Sequence, residues 1–342
     1  MRKVALLSAL LAAACIGGIA AADPNGLPGA SGTVFVTERA LGSLAAFDAA
    51  TGALLWSRPV GSSPIGVAQP RGTDWVYTSD EGSNRMTVRE RRTGDLVTTI
   101  PMGPLPHHLM ASGNGERIYV GQFGSNTIGV VDTSSNSHVA DYVANPDPAA
   151  RTHAVFITNG NDLYATDTRV DRTLQGDVAH LDGRTGERFC NTMVGADPSE
   201  ILITPNGKTG YVSVRRENKI KELDTGGDCP VLTGREAVIG TMPDTLQLTN
   251  DGKMLVVTLR GTPAQISLLD TETFAVRIVT IPGHTVTGHH WLSANGKYTF
   301  VAVESPAGLA VVDNDSGETV ADYPYPTGSR AHGVFYEPEV LR

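Results

Sequence analysis

Short apolar runs recur along the chain, each broken by Gly, Asn, Asp or Pro, and no heptad pattern survives between them. Ile201 to Thr204 and Leu246 to Thr249 are runs that lead into turns; Asn114-Gly115, Asn159-Gly160, Asn206-Gly207, Asp251-Gly252 and Asn295-Gly296 are such turns. Asn-Gly and Asp-Gly supply the positive φ angles that a two-residue hairpin demands, so each pair predicts a strand on either side. A second run follows, as in Ile118 to Gly121 or Tyr211 to Val214, and after a variable loop a third, as in Ile128 to Val131 or Ile266 to Leu269. An acid ends each third run. These acids are Asp48, Glu90, Asp132, Asp182, Asp224, Asp270 and Asp313, spaced by 42, 42, 50, 42, 46 and 43 residues.

Self-similarity at that period marks a propeller or solenoid, in which one small sheet cannot bury its faces alone. The chain of 342 residues would otherwise suggest about two domains. Seven repeats replace that expectation with one ring. The first run of blade 1 is missing at the start, where Thr33 to Val36 reads as a second strand, and His332 to Tyr336 supplies a first strand at the end. The expected fold is therefore all-β: a seven-bladed β-propeller of four-stranded antiparallel blades over 33–338, with the first blade closed by the C-terminal strand. The repeat acids are explained locally, since each can accept backbone N–H groups of the turn that follows.

Arg117-Ile118-Tyr119-Val120, Asn126 to Asp132, and Asp197-Pro198 followed by Ile203 to Gly207 resemble the YVTN-type β-propeller repeat. The resemblance spans 33–338 and implies the fold. Its relatives include surface proteins, lactone-cleaving enzymes, metal carriers and catalytic domains of copper and haem enzymes, so it implies no single function.

Residues 1–22 change the composition that matters. Arg2 and Lys3 precede an uncharged stretch ending in Ala20, Ala21 and Ala22, the pattern of a secretory signal peptide. A retained anchor is the alternative, though the most apolar part is short for a span; Cys15 after three alanines offers a lipoprotein variant. A linker at 23–32 and a tail at 339–342 would flank the ring. Without the signal the chain carries 25 basic and 36 acidic residues, so a phosphate backbone is excluded as the expected partner. With 6% aromatic residues the chain also lacks broad base-stacking platforms. Cys190 and Cys229 remain, in adjacent blades of a chain sent to an oxidising compartment, and could pair. The expected location is secreted or periplasmic, with a small molecule or metal ion as partner, no membrane span after cleavage, and a protein partner left open.

Histidine placement carries the candidate chemistry. Aligning the first strands on their turns gives 21 positions at the strand starts, and six of the nine histidines fall there. His108, His153 and His289 share one position in three blades and are the first candidates for metal ligands; His107, His290 and His332 flank them. First strands line a propeller's channel, so these residues should ring one mouth. Neutral imidazoles without thiolates suit copper first, with zinc or iron as alternatives. Glu200 sits among them as a carboxylate ligand or general base, and Asp167 stands in a neighbouring loop with Glu38, Asp80, Arg215, Arg216, Arg260 and Glu304. The longest repeat places extra length around Thr166 to Gly176, a candidate lid.

No Gly-x-Ser-x-Gly, His-Glu-x-x-His, Cys-x-x-Cys or phosphate-loop motif occurs. The leading expectation is a metal-dependent oxidoreductase acting on a small molecule. The alternatives are a metal carrier or sensor, a metal-assisted lactonase or lyase, and a non-catalytic binding scaffold; a tetrapyrrole cofactor is a further one. The resemblance also implies a blander role, because Pro-His-Gly-like strand starts serve YVTN-type repeats as channel-lining hydrogen bonders, and His332 fits that description.

Overall fold

The computed structural model describes residues 26–326 and 328–339. The expected signal peptide, Cys15 and the last three residues lie outside that range. Seven antiparallel sheets of four strands each make a seven-bladed β-propeller, and the helical segments among the described residues are two single 3₁₀ turns at Glu81–Ser83 and Arg215–Glu217.

Blade 1 is built from both ends of the chain. Ala331–Pro338 lies innermost, followed outward by Gly32–Glu38, Ser43–Asp48 and Leu54–Pro59. Val34 pairs with Tyr336 and Phe35 with Phe335, so the ring junction is a hydrogen-bonded ladder without an exposed edge. Blades 2 to 7 follow in chain order at 64–101, 106–143, 150–196, 198–238, 243–280 and 286–324. Each first strand contacts the first strands of both neighbouring blades, which closes an inner ring of seven around the channel.

The core lies between blades. Val256 and Ile266 of blade 6 pack on Val301 and Val312 of blade 7, and Phe300 stacks on Tyr336 across the junction of blades 7 and 1. The fourth strands face solvent, as in Leu54–Pro59, where only Trp56 is buried. Of the repeat acids, Asp182 accepts the backbone N–H of Arg184 and Thr185, and Asp270 that of Glu272 and Thr273, which is the local role expected of them. Cys190 on the outer strand of blade 4 is bonded to Cys229 ahead of the outer strand of blade 5.

Two backbone features shape the channel mouth. Ser63, Leu105, Asp197 and Met242 have φ between 48° and 58°, and each directly precedes the proline that opens a first strand. Then the ladder to the second strand breaks register. In blade 3, Pro106 pairs with Gln122 and Leu109 with Val120, leaving His107 and His108 opposite Gly121 alone. Equivalent breaks leave His153 extra in blade 4, Gly288 and His289 opposite Ala302 in blade 7, and His332 and Gly333 opposite Thr37 in blade 1. A bulge of this kind bends the strand and re-aims its side chains.

The extra length of blade 4 goes mainly into strands. Asp162–Arg169 and Gln175–Asp182 run eight residues each, so the expected loop from Thr166 to Gly176 shrinks to a tip at 170–174.

Candidate metal centre

In a regular strand consecutive side chains point to opposite faces. The bulge in blade 3 cancels that alternation, and the rings of His107 and His108 lie parallel with centroids 4.8 Å apart. His153 from blade 4 closes a triangle, 4.5 Å from His107 and 4.8 Å from His108. His289 from blade 7 sits 4.5 Å from His108, and His332 from blade 1 is 4.4 Å from His289. Five imidazoles from four blades thus form a continuous ribbon across the channel.

His107, His108 and His153 each offer a ring nitrogen, and these three atoms lie within 4.8 Å of one another. An ion with nitrogens at about 2.0–2.1 Å needs them roughly 3.3–3.6 Å apart, which side-chain rotation by about an ångström would achieve. The hydrogen bonds around the ribbon orient its rings. His153 Nδ1 lies 2.8 Å from the Ser199 carbonyl, an arrangement that places the proton on Nδ1 and leaves the Nε2 lone pair free. His332 Nδ1 is held 2.6 Å from Glu304 Oε1 in the same sense. Such bonds to a carbonyl or carboxylate fix the tautomer of metal-binding imidazoles. By contrast, His107 Nδ1, His108 Nε2 and His289 Nε2, and outside the ribbon His290 Nε2, are buried and have no hydrogen-bond partner.

Burial holds His107, His153 and His289 well below the ordinary imidazole pKa, reinforced by His153 at the first, Arg215 at the second and His332 at the third. Burial likewise lowers His332 to about 4, against the pull of Glu304. These rings are therefore neutral at pH 7, the form that donates a lone pair. A charged collar surrounds them. Glu81 Oε1 stands 3.9 Å from His107 Nε2, and its Oε2 pairs with Arg39. Arg260 bridges Asp244 and Glu304, while Arg215 pairs with Asp244. Phe123 packs against His107 and His153, with Arg172 of the blade 4 tip 5.1 Å over its ring.

Of the remaining candidates, Glu200 lies beside the ribbon: its Oε1 is 3.8 Å from His108 Nδ1 and its Oε2 accepts the Leu246 N–H. His290 stands apart from the ring contacts. Its Nδ1 is 2.9 Å from Thr245 Oγ1, and burial lowers its pKa to about 3. Asp167 is fully buried and does not line the channel cavities. Its Oδ1 accepts from Thr152, the neighbour of His153, while Oδ2 has no partner, and burial followed by the Asp177 charge raises its pKa to about 8.

Sequence reasoning passed over Glu81, Phe123, Asp244 and Gln247. Asp244 was visible as a member of the strand-start positions, and Glu81 follows Asp80 in a mouth loop; Phe123 and Gln247 carry no such signal. The cavity that Gln247 borders was also unforeseen. It has a volume of 600 Å³ and runs along the channel from His108 and Glu200 to Pro205, Asn250 and Pro338. A smaller space of 60 Å³ joins His108, Glu200, His289 and His290.

No family model and no curated protein matches the sequence. Solved structures match the fold. A functionally unknown protein from Desulfotomaculum acetoxidans DSM 771 is 15% identical, covers 90% of this chain and 100% of its own, and has a TM-score of 0.73. The periplasmic gluconolactonase PpgL of Pseudomonas aeruginosa is 16% identical over 89% of this chain and 98% of its own, with a TM-score of 0.66. The dihydro-heme d1 dehydrogenase NirN, solved in complex with DHE, is 15% identical over 92% of this chain and 75% of its own, with a TM-score of 0.61. At these identities the likeness shows the fold alone.

Proposed function

We propose that this chain is an extracytoplasmic propeller that binds a transition-metal ion through His107, His108 and His153 and uses it on a small molecule, with oxidation or reduction as the first reaction class. The observation that carries the reading is the close set of His107, His108 and His153 ring nitrogens, within 4.8 Å of one another, with His107 Nδ1 and His108 Nε2 buried and partnerless. Channel-lining hydrogen bonders would have partners, because a buried polar atom without one costs about 1–3 kcal/mol. A ligand role accounts for that cost. Copper is the first choice for a set of imidazoles without thiolate, with zinc or iron as alternatives. When bound, such an ion supplies a Lewis-acid or redox centre with an open position. Among the chain's own groups, Ser199 orients His153, and Glu200 moves a proton at Oε1 while the Leu246 N–H holds its other oxygen.

A second reading, lactone opening, is favoured by Glu200 beside His108, a carboxylate base next to a proposed ligand. A structural match named as a gluconolactonase supports it. The extracytoplasmic location draws on the N-terminal signal pattern, the Cys190–Cys229 bond and that match being periplasmic. The YVTN-type repeat belongs to the same proposal. No helix among the described residues is long and apolar enough to cross a membrane.

The test is metal analysis of untagged protein, followed by copper, zinc and iron(II) titration. One ion per chain is expected, and His108→Ala or His153→Ala should weaken it at least tenfold. No bound ion, with unchanged stability when His108, His153 and His289 become Ala, overturns the reading. Turnover with zinc alone selects lactone opening over redox chemistry; bound metal without turnover selects a carrier.

A further inference from the structure

We propose that the channel below the imidazole ribbon binds one flat apolar molecule bearing a single hydroxyl, a lipophilic alcohol or phenol, which enters from the face opposite the histidines. The 600 Å³ cavity falls in the range of about 300–1,000 Å³ typical of small-molecule sites. Its middle is walled by Leu109, Phe156, Leu202, Leu246, Leu248 and Trp291, contributed by the first strands of blades 3 to 7. Phe156, Leu109, Leu248 and Trp291 are only partly buried, so the empty channel leaves them apolar surface to cover. The outer rim is made of turn residues, among them exposed Asn250 and Ala294, so the cavity reaches the surface there.

The inner end selects the head group. Glu200 Oε2 is engaged by the Leu246 N–H, which leaves Oε1 as an acceptor 3.8 Å from His108 Nδ1. His108, nine-tenths buried, lines the same cavity, and its Nε2 has no partner. Gln247 spends its oxygen on the Leu292 N–H, so its amide group remains a donor. An anionic head would meet the Glu200 carboxylate, and a wholly apolar ligand would bury these groups unpaired. A hydroxyl can donate to Glu200 and accept from Gln247. Binding rests on the cavity alone, whereas the ligand's being the substrate rests on the metal reading above.

Calorimetric titration of the chelator-treated full chain with 2-naphthol, naphthalene and 2-naphthoate tests this. One saturable site for 2-naphthol is expected, with naphthalene and 2-naphthoate each at least tenfold weaker. Glu200→Gln should bring 2-naphthoate to within about tenfold of 2-naphthol. Leu248→Trp, which fills the cavity, and Ala294→Trp, on the exposed rim where folding is spared, should each weaken 2-naphthol at least tenfold. Absence of saturable binding at about millimolar 2-naphthol, equal affinity for 2-naphthoate, or indifference to both tryptophan variants overturns the proposal. Because the protein is metal-free throughout, a positive result stands even if the metal reading fails.

Discussion

His107 and His108, consecutive in the chain, present their rings in parallel at 5° because both lie within the register break opposite Gly121. The glycine is as necessary as the histidines. A Cβ at position 121 would come within 2.7 Å of the His153 carbonyl oxygen and 3.2 Å of that of Thr152, both backbone atoms of the next blade. Gly121→Ala must therefore push blades 3 and 4 apart exactly where the imidazole triangle spans them. Denaturant unfolding should show a loss of about 1–3 kcal/mol, and metal titration at least a tenfold weaker site. Unchanged metal affinity in a destabilised variant would separate the triangle from the blade spacing.

Hydroxyl groups do at other blade junctions what Gly121 permits at this one. Ser79 accepts the Gly66 N–H of its own blade and donates to the His107 carbonyl of the next. Thr37 repeats the arrangement with the Gly333 N–H and the Ile65 carbonyl, and Thr166 with the Ala154 N–H and the Ser199 carbonyl. Each hydroxyl satisfies two buried backbone groups stranded by a bulge. Ser79→Ala and Thr37→Val keep the volume close and remove both bonds, so each should cost about 1–3 kcal/mol in thermal or denaturant melts. Only Ser79→Ala should also disturb metal binding, because only Ser79 holds a histidine backbone.

The contrast shows which parts of the molecule are written in local chemistry. Asn206-Gly207 and Asp182 act through turns a few residues long, so the repeat, the blade count and the closure through Val34 and Tyr336 are legible without coordinates. The gathering of six histidines at the strand starts is legible too, because repeats align. What happens there is not. A register break leaves no trace in the apolar pattern, so nothing distinguishes His107 and His332, flanking residues that join the ribbon, from His290, a flanking residue bonded to Thr245. Gln247 and Trp291 read as ordinary strand residues, and only seven strands brought together reveal the channel they line.

The Cys190–Cys229 bond joins blades 4 and 5 at their outer edge, across a sequence separation of 39. Closing a loop of that length removes chain entropy from the unfolded state worth about 4 kcal/mol by the loop-length relation. Neither sulfur lies near the histidine ribbon, so the bond is a structural tie. Cys190→Ser with Cys229→Ser should lower stability by about 2–4 kcal/mol and leave metal affinity within about twofold. Calorimetric unfolding and metal titration of the paired variant measure both; a larger loss of metal affinity would show that the outer edge governs the channel.

Asp167 contributes a separable part of the pH dependence of stability. Burial, then the charge of Asp177, raises its pKa from 3.8 to about 8, so at neutral pH the folded chain holds a proton that the unfolded chain has released. A proton bound more tightly by the folded state stabilises it most at low pH. This contribution declines as pH rises from about 4 to about 8 and is level beyond. Asp167→Asn keeps an oxygen for Thr152 to donate to and removes the ionisation. The variant should therefore gain on the natural chain as pH rises, by at least about 1 kcal/mol between pH 5 and pH 9 in denaturant unfolding. Parallel stability curves for the two proteins over that range would place the Asp167 carboxyl at its ordinary pKa, with the ionised form accommodated in the blade.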